Sequence, residues 1–207
     1  MAGPPAATAP QMPPYPNQLG LFPQFLAPPQ SETLVLKEHV LSLSGDSFDI
    51  KTISGTPVFQ VKGTWPSLSG RKNFMDMAGN VLFTIRKKVM SFPASFYAED
   101  PAGNVVFEVK GKFTFGTSKS ICAFRSTMSG KEETLVMKGN FWNTKADIKD
   151  EATKLPVATI DRKLFNSRQI FGGQQTYAVT VAPNVDMALV AAMCICLDER
   201  RNEANGR

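Results

Sequence analysis

The chain has 207 residues, 43% hydrophobic and 20% charged, with a net charge of +5 and a pI near 9.2. That is an ordinary globular composition, long enough for a real core, and it excludes a collagen-like fibre, a disulfide-stapled miniprotein and a wholly disordered chain. Three cysteines, Cys122, Cys194 and Cys196, are an odd number and read as reduced thiols, so a cytoplasmic protein is expected, with the nucleus or a membrane surface as further locations, and not a secreted one.

Residues 1–36 hold one acidic residue, Glu32, and no Lys or Arg, so the rest of the chain carries +6. A basic domain suits an anionic partner, although solubility alone would account for an excess of this size. The opening "MAGPPAATAPQMPPYPNQLG" has neither the basic start nor the apolar run of a secretory signal. Nine of the fifteen prolines fall within residues 1–30. Residues 1–31 are therefore expected to be a disordered tail leaning to polyproline II, in which "PPYP" (Pro13–Pro16) would be offered to a protein partner.

A repeat follows. "GTPVFQVKG" starts at Gly55, "GNVLFTIRKK" at Gly79 and "GNVVFEVKGKF" at Gly103, a spacing of 24 residues each time. Each glycine is followed at the same offsets by a Phe (Phe59, Phe83, Phe107), a β-branched residue (Val61, Ile85, Val109) and a base (Lys62, Arg86, Lys110). "DMAG" and "DPAG" supply acidic turns before two of them. This is the pattern of hairpins with glycine-containing turns. A weaker copy is "KLPVATIDRK" (Lys154–Lys163). With "ETLVLKEHVLSLSG", "SICAFRSTMSGKEETLVMKG" and "TYAVTVAP" the total is about twelve short strands, as in an all-β sandwich or barrel.

Alternation assigns faces. Phe83, Ile85, Phe107 and Val109 point inward. Lys62, Arg86, Lys88, Lys110 and Lys112 point outward, and with Arg71 and Lys72 of "SGRKN" they form a candidate basic patch for lipid phosphate. The plainer alternative is a solvated face whose lysines discourage edge pairing.

Enzyme chemistry finds little support. The one histidine, His39, sits at a strand position, which removes His-based triads and His-rich metal sites unless it serves alone. GxSxG, GxxxxGK[ST] and GxGxxG are absent. Cys122 has no identifiable base and is expected in the core. No metal and no cofactor are expected.

The chain closes on "NVDMALVAAMCICLDERRNE", whose eleven residues Met187 to Leu197 are uncharged. Asn184 is expected as the N-cap, Asp186 at the positive end of the helix dipole, and Arg200 and Arg201 at the negative end. A helix of about 16 residues reaches roughly 24 Å, and its apolar part falls short of the ~20 residues that span a bilayer. A short helix that is apolar on every side must be buried on every side. A barrel of about twelve strands is too wide for its own side chains to fill, so the helix is expected to plug it. Ala188, Ala191 and Ala192 would approach one wall, and Leu189, Met193 and Leu197 would fill the other side. Cys194 and Cys196 would point apart.

"TVAPNVDMALVAAMCICLDERRNE", the hairpins "DSFDIKTISGTPVFQVKG" and "DMAGNVLFTIRKKVMS", and "VKGNFW" resemble the LURP-one-related family, whose domains are tubby-like. The likeness runs over residues 32–203, leaving 204–207 as a disordered end. It implies a closed twelve-stranded antiparallel β-barrel around a buried C-terminal helix. It implies no settled activity; relatives of the fold include tubby, which binds phosphoinositides, and the phospholipid scramblases. The expected function is a non-enzymatic, monomeric module that binds anionic phospholipid headgroups on its basic face without crossing the membrane. The alternative is a soluble adaptor using the proline-rich arm, with scramblase-like lipid transport ranked below both. Nucleic acid is not favoured, because the basic strands lack interleaved exposed aromatics.

Overall fold

The structure, a computed structural model, describes residues 10–39, 47–63, 70–114, 117–139, 145–161 and 176–204. The 24-residue period becomes a series of hairpins whose turns share one end of the molecule. Gly55, Gly79 and Gly103 adopt φ of 91°, 86° and 90°, a left-handed conformation that glycine accepts at no steric cost. Asp76 and Asp100 organise two of these turns identically. Asp76 Oδ1 accepts the N–H groups of Ala78 (2.9 Å) and Asn80 (2.8 Å), and Asp100 Oδ1 those of Ala102 (2.9 Å) and Asn104 (2.8 Å). These bonds hold both carboxyls below the ordinary range, the Asn80 and Asn104 side-chain amides being the largest contributors.

The strands are β1 (Glu32–His39), β2 (Ser47–Thr52), β3 (Pro57–Gly63), β4 (Lys72–Asp76), β5 (Val81–Lys87), β6 (Ser95–Glu99), β7 (Val105–Thr114), β8 (Thr117–Arg125), β9 (Glu132–Gly139), β10 (Lys145–Asp150), β11 (Pro156–Asp161) and β12 (Thr176–Val181). Each pairs antiparallel with its chain neighbours, and β1 pairs with β12, so the sheet closes as a twelve-stranded barrel. Closure removes both sheet edges. The helix α1 (Met187–Ala204) runs through the lumen. Ala188, Leu189, Ala191, Ala192, Met193 and Leu197 are all buried, as a plug requires. Inward side chains of the strands meet it. Phe59, Phe74, Phe83 and Phe107 form a chain of rings with centroids 5.0, 4.7 and 5.3 Å apart. Ring pairs at this spacing add to simple area burial.

The N-terminal segment departs from the expected disordered tail. Residues 10–31 lie across the turn end of the barrel as a strap. Tyr15, Leu19, Leu21 and Ala27 are buried, and Phe25 and Phe22 extend the ring chain to Phe59 (4.9 Å) and Phe83 (5.8 Å). The strap pairs with the segment that leads into the helix: Leu19 N–H donates to Asn184 O (2.9 Å), Asp186 N–H to Leu19 O (2.9 Å) and Ala27 N–H to Val185 O (2.8 Å). Proline density lowers the chain entropy lost on docking, and the apolar residues between the prolines supply the burial. Residues 1–9 and 205–207 lie outside the described residues.

The helix cap also differs. Asp186 caps α1 in place of Asn184. Its Oδ1 accepts the N–H groups of Ala188 (2.8 Å) and Leu189 (3.3 Å), and its Oδ2 those of Leu21 and Phe22 in the strap (both 2.9 Å). Asn184 instead takes a left-handed φ of 70° and donates from its side chain to Tyr15 O (2.9 Å).

Candidate functional site: a basic pocket beside the helix exit

β5 climbs from its turn and ends at Lys87, near the end of the barrel where α1 emerges. Strand register builds the outer surface there. Lys72 of β4 lies opposite Ile85, which brings Arg71 alongside Arg86; Arg86 lies opposite Tyr97 of β6, and Tyr97 opposite Glu108 of β7. Arg71, Arg86, Lys87 and Lys88, with Tyr97, Val89, Val105 and Glu108, line a surface pocket of about 550 Å³.

The charges are partly compensated. Arg86 reaches Glu99 at 2.9 Å, while Lys110 and Lys88 flank Glu108 at 2.8 and 3.4 Å. Partial burial pushes the Glu108 carboxyl up, but the two lysines outweigh it and hold the group below its ordinary range. Four cations, Arg71, Arg86, Lys87 and Lys88, and one carboxylate, Glu108, are thus among the residues that line the pocket. Lys88 and Lys110 are more than half exposed, so their pairs with Glu108 contribute little to stability and a stronger anion can displace them at small cost. A guanidinium presents paired N–H groups matching phosphate oxygens, and lysines add adjustable point charges. The volume suits a small polar headgroup.

The predicted patch is therefore only partly assembled. Arg71, Arg86 and Lys88 line the pocket, and Lys110 joins through Glu108. Lys62 is exposed but lies one row away, opposite Asn73. The Lys112 side chain lies outside the described residues, its backbone pairing with Lys119. Lys72 is not part of the surface. It shares the inward parity of Phe74, is 5% exposed and pairs with Glu199 of α1 at 3.0 Å. Sequence reasoning missed Lys87, Tyr97 and Glu108. Lys87 has inward parity and stands at the end of β5 opposite Phe96, yet it is among the residues that line the pocket. Tyr97 became visible only through the β5–β6 register.

Among the described residues no three potential metal ligands cluster. The cysteines are buried thiols, and burial pushes Cys122 up to about 12. His39 falls in β1, its backbone opposite Ser47. No helix among the described residues is long and apolar enough to cross a membrane.

Comparisons of the sequence point to one family, and a comparison of the structure to a shared fold. The family described as LURP-one-related matches residues 32–198. Protein LURP-one-related 15 of Arabidopsis thaliana is 23% identical, covering 96% of this chain and 94% of its own length. Protein LURP-one-related 1 of the same plant is 22% identical over 94% and 89%. An Arabidopsis thaliana protein solved by X-ray crystallography superposes with a TM-score of 0.61 at 19% identity, covering 88% of this chain and 98% of that one, which establishes the shared fold.

Proposed function

Starting from a chain that belongs to the LURP-one-related family, we propose that it is a non-enzymatic module that binds anionic phospholipid headgroups, phosphoinositides foremost, at the membrane surface. The observation that carries this reading is the convergence of Arg71, Arg86, Lys87 and Lys88 on one surface pocket. Headgroup phosphates would replace Glu99 and Glu108 as partners of these cations, through charge-assisted hydrogen bonds. The adaptor reading loses ground, because the tyrosine of "PPYP" is turned inward: Tyr15 is buried and its hydroxyl donates to Asp150 Oδ2 (2.8 Å).

The test is co-sedimentation of the full-length chain with phosphatidylcholine vesicles, with and without a few per cent phosphatidylinositol bisphosphate, at low and physiological salt. Binding is expected to require the anionic lipid and to weaken with salt. Arg71→Glu with Arg86→Glu should reduce it by about tenfold or more. Reversals that leave binding unchanged sink the site, and absence of binding under every condition sinks the function.

A further inference from the structure

Beside the basic pocket the chain does something unusual for a soluble surface. Seven large hydrophobic residues are exposed among the described residues, and the three most exposed fall within four consecutive positions: Val89 at 75%, Met90 at 101% and Phe92 at 92%. Singly scattered exposed apolar residues need no explanation, but a contiguous group does. These three occupy the connection between β5 and β6, residues 88–94, directly after the pocket residues Arg86, Lys87 and Lys88. Val89 itself belongs to the pocket wall.

The base of this connection is built firmly. Lys88 N–H donates to Ser95 O (2.8 Å), Ser91 Oγ to Lys88 O (3.0 Å) and Ser95 N–H to Ser91 Oγ (2.9 Å). Met90 at the tip holds a left-handed φ of 61°, which a bulky side chain adopts rarely. The apolar tip is thus held out from the barrel by its own hydrogen bonds instead of folding down on the wall.

We propose that residues 89–92 form a wedge that enters the bilayer, with Val89, Met90 and Phe92 at the acyl boundary, while the adjoining pocket holds headgroups. The inference rests on the headgroup reading above and adds a second, apolar anchor to it. Charge complementarity selects the occupant: an apolar tip fringed by Arg and Lys matches the layering of an anionic membrane surface, apolar beneath and negative above. It also orients the protein, with the helix-exit end of the barrel toward the membrane. Two weak signals in one place bring stable but reversible attachment within reach, where either alone gives marginal binding.

The experiment uses the full-length chain with vesicles of phosphatidylcholine and phosphatidylserine containing a few per cent phosphatidylinositol bisphosphate. Met90→Ser with Phe92→Ser should fold as the parent does, because both side chains are in solvent, and thermal melting checks this. The variant is expected to lose roughly 10- to 100-fold in vesicle partitioning, the range implied by withdrawing two large apolar side chains from a partly buried position, while the salt dependence of its residual binding persists. In a second arm Phe92→Trp should shift its emission to the blue on vesicles and be quenched by lipids brominated on the acyl chain. A serine variant that binds as tightly as the parent, or a tryptophan that stays unquenched, overturns the wedge and leaves the headgroup reading standing. A parent chain that binds no vesicle overturns both.

Discussion

The two ends of α1 are closed in opposite ways. At its N-terminus the lumen is sealed by the strap, and one carboxylate serves four backbone N–H groups, two of the helix and two of the strap. Gly20 lets the strap come this close: a Cβ there would lie 2.1 Å from Asp186 Cβ, at a φ of +142° that other residues rarely adopt. At its C-terminus the lumen is closed by side-chain charge. Lys72 pairs with Glu199, and Arg200 passes over Gly111 of β7 to donate to Ser120 Oγ. The difference follows from what each terminus leaves unpaired. A helix start has orphan donors that want an acceptor, and burial makes that acceptor indispensable. A helix end near water can use long side chains whose charges meet both each other and solvent. The end that stays polar is also the end that carries the basic pocket and the apolar tip.

Three experiments would break or sharpen this contrast. The largest effect is expected from deleting residues 1–31. That removes the acceptor-matched strap and bares Phe59, Phe83 and the helix start, so the shortened chain should aggregate or melt far below the parent in calorimetry. A fragment that melts as the parent does would return these residues to the status of a tail.

Next in size is a pair of substitutions at opposite ends. Asp186→Ala strands four buried or half-buried donors and should cost about 4 kcal/mol or more in urea unfolding. At the other end Lys72→Met alone should cost about 3 kcal/mol, because Glu199 loses a close partner. Lys72→Met with Glu199→Met should recover to within about 1 kcal/mol of the parent, since an apolar pair can replace a buried ion pair. A double variant as poor as the single one would mean that the charges themselves specify the exit.

The smallest effect separates two carboxylates of the sealed end. Burial pushes the Asp186 carboxyl up from its ordinary 3.8 to about 6, against the four N–H groups that favour the charged form. Burial also opposes ionisation of Asp150, but hydrogen bonds from Thr153, Tyr15 and backbone N–H groups outweigh it and hold that carboxyl below the ordinary range. The consequences for stability have opposite signs. The share from Asp186 is present in full below about pH 4 and is lost as pH rises through about 6. The share from Asp150 is present above its unfolded value and is lost as pH falls. Carbon-13 titration of the two carboxyls should therefore give a midpoint near 6 for Asp186 and one below 3.8 for Asp150.

Much of the architecture was legible in the chain. Hairpins repeat because β pairing is a local, period-two pattern punctuated by turn residues, and Gly55, Gly79 and Gly103 stand where the turns require left-handed backbone. The plug was legible because an apolar run with no polar face has nowhere to go except inside. What tertiary structure alone decided depends on groups far apart in sequence. The strap was hidden by its prolines, although Tyr15, Leu19, Leu21, Phe22 and Phe25 between them were the available signal. Asp186 outranks Asn184 as the cap because only its carboxylate meets both the helix start and residues 165 and 164 positions earlier in the chain. Lys72 was misplaced by its neighbour Arg71, where its parity with Phe74 pointed inward. The basic pocket required β4, β5, β6 and β7 to stand side by side in one register. Period and polarity along the chain set which residues face in or out; only the closed barrel sets which of them meet.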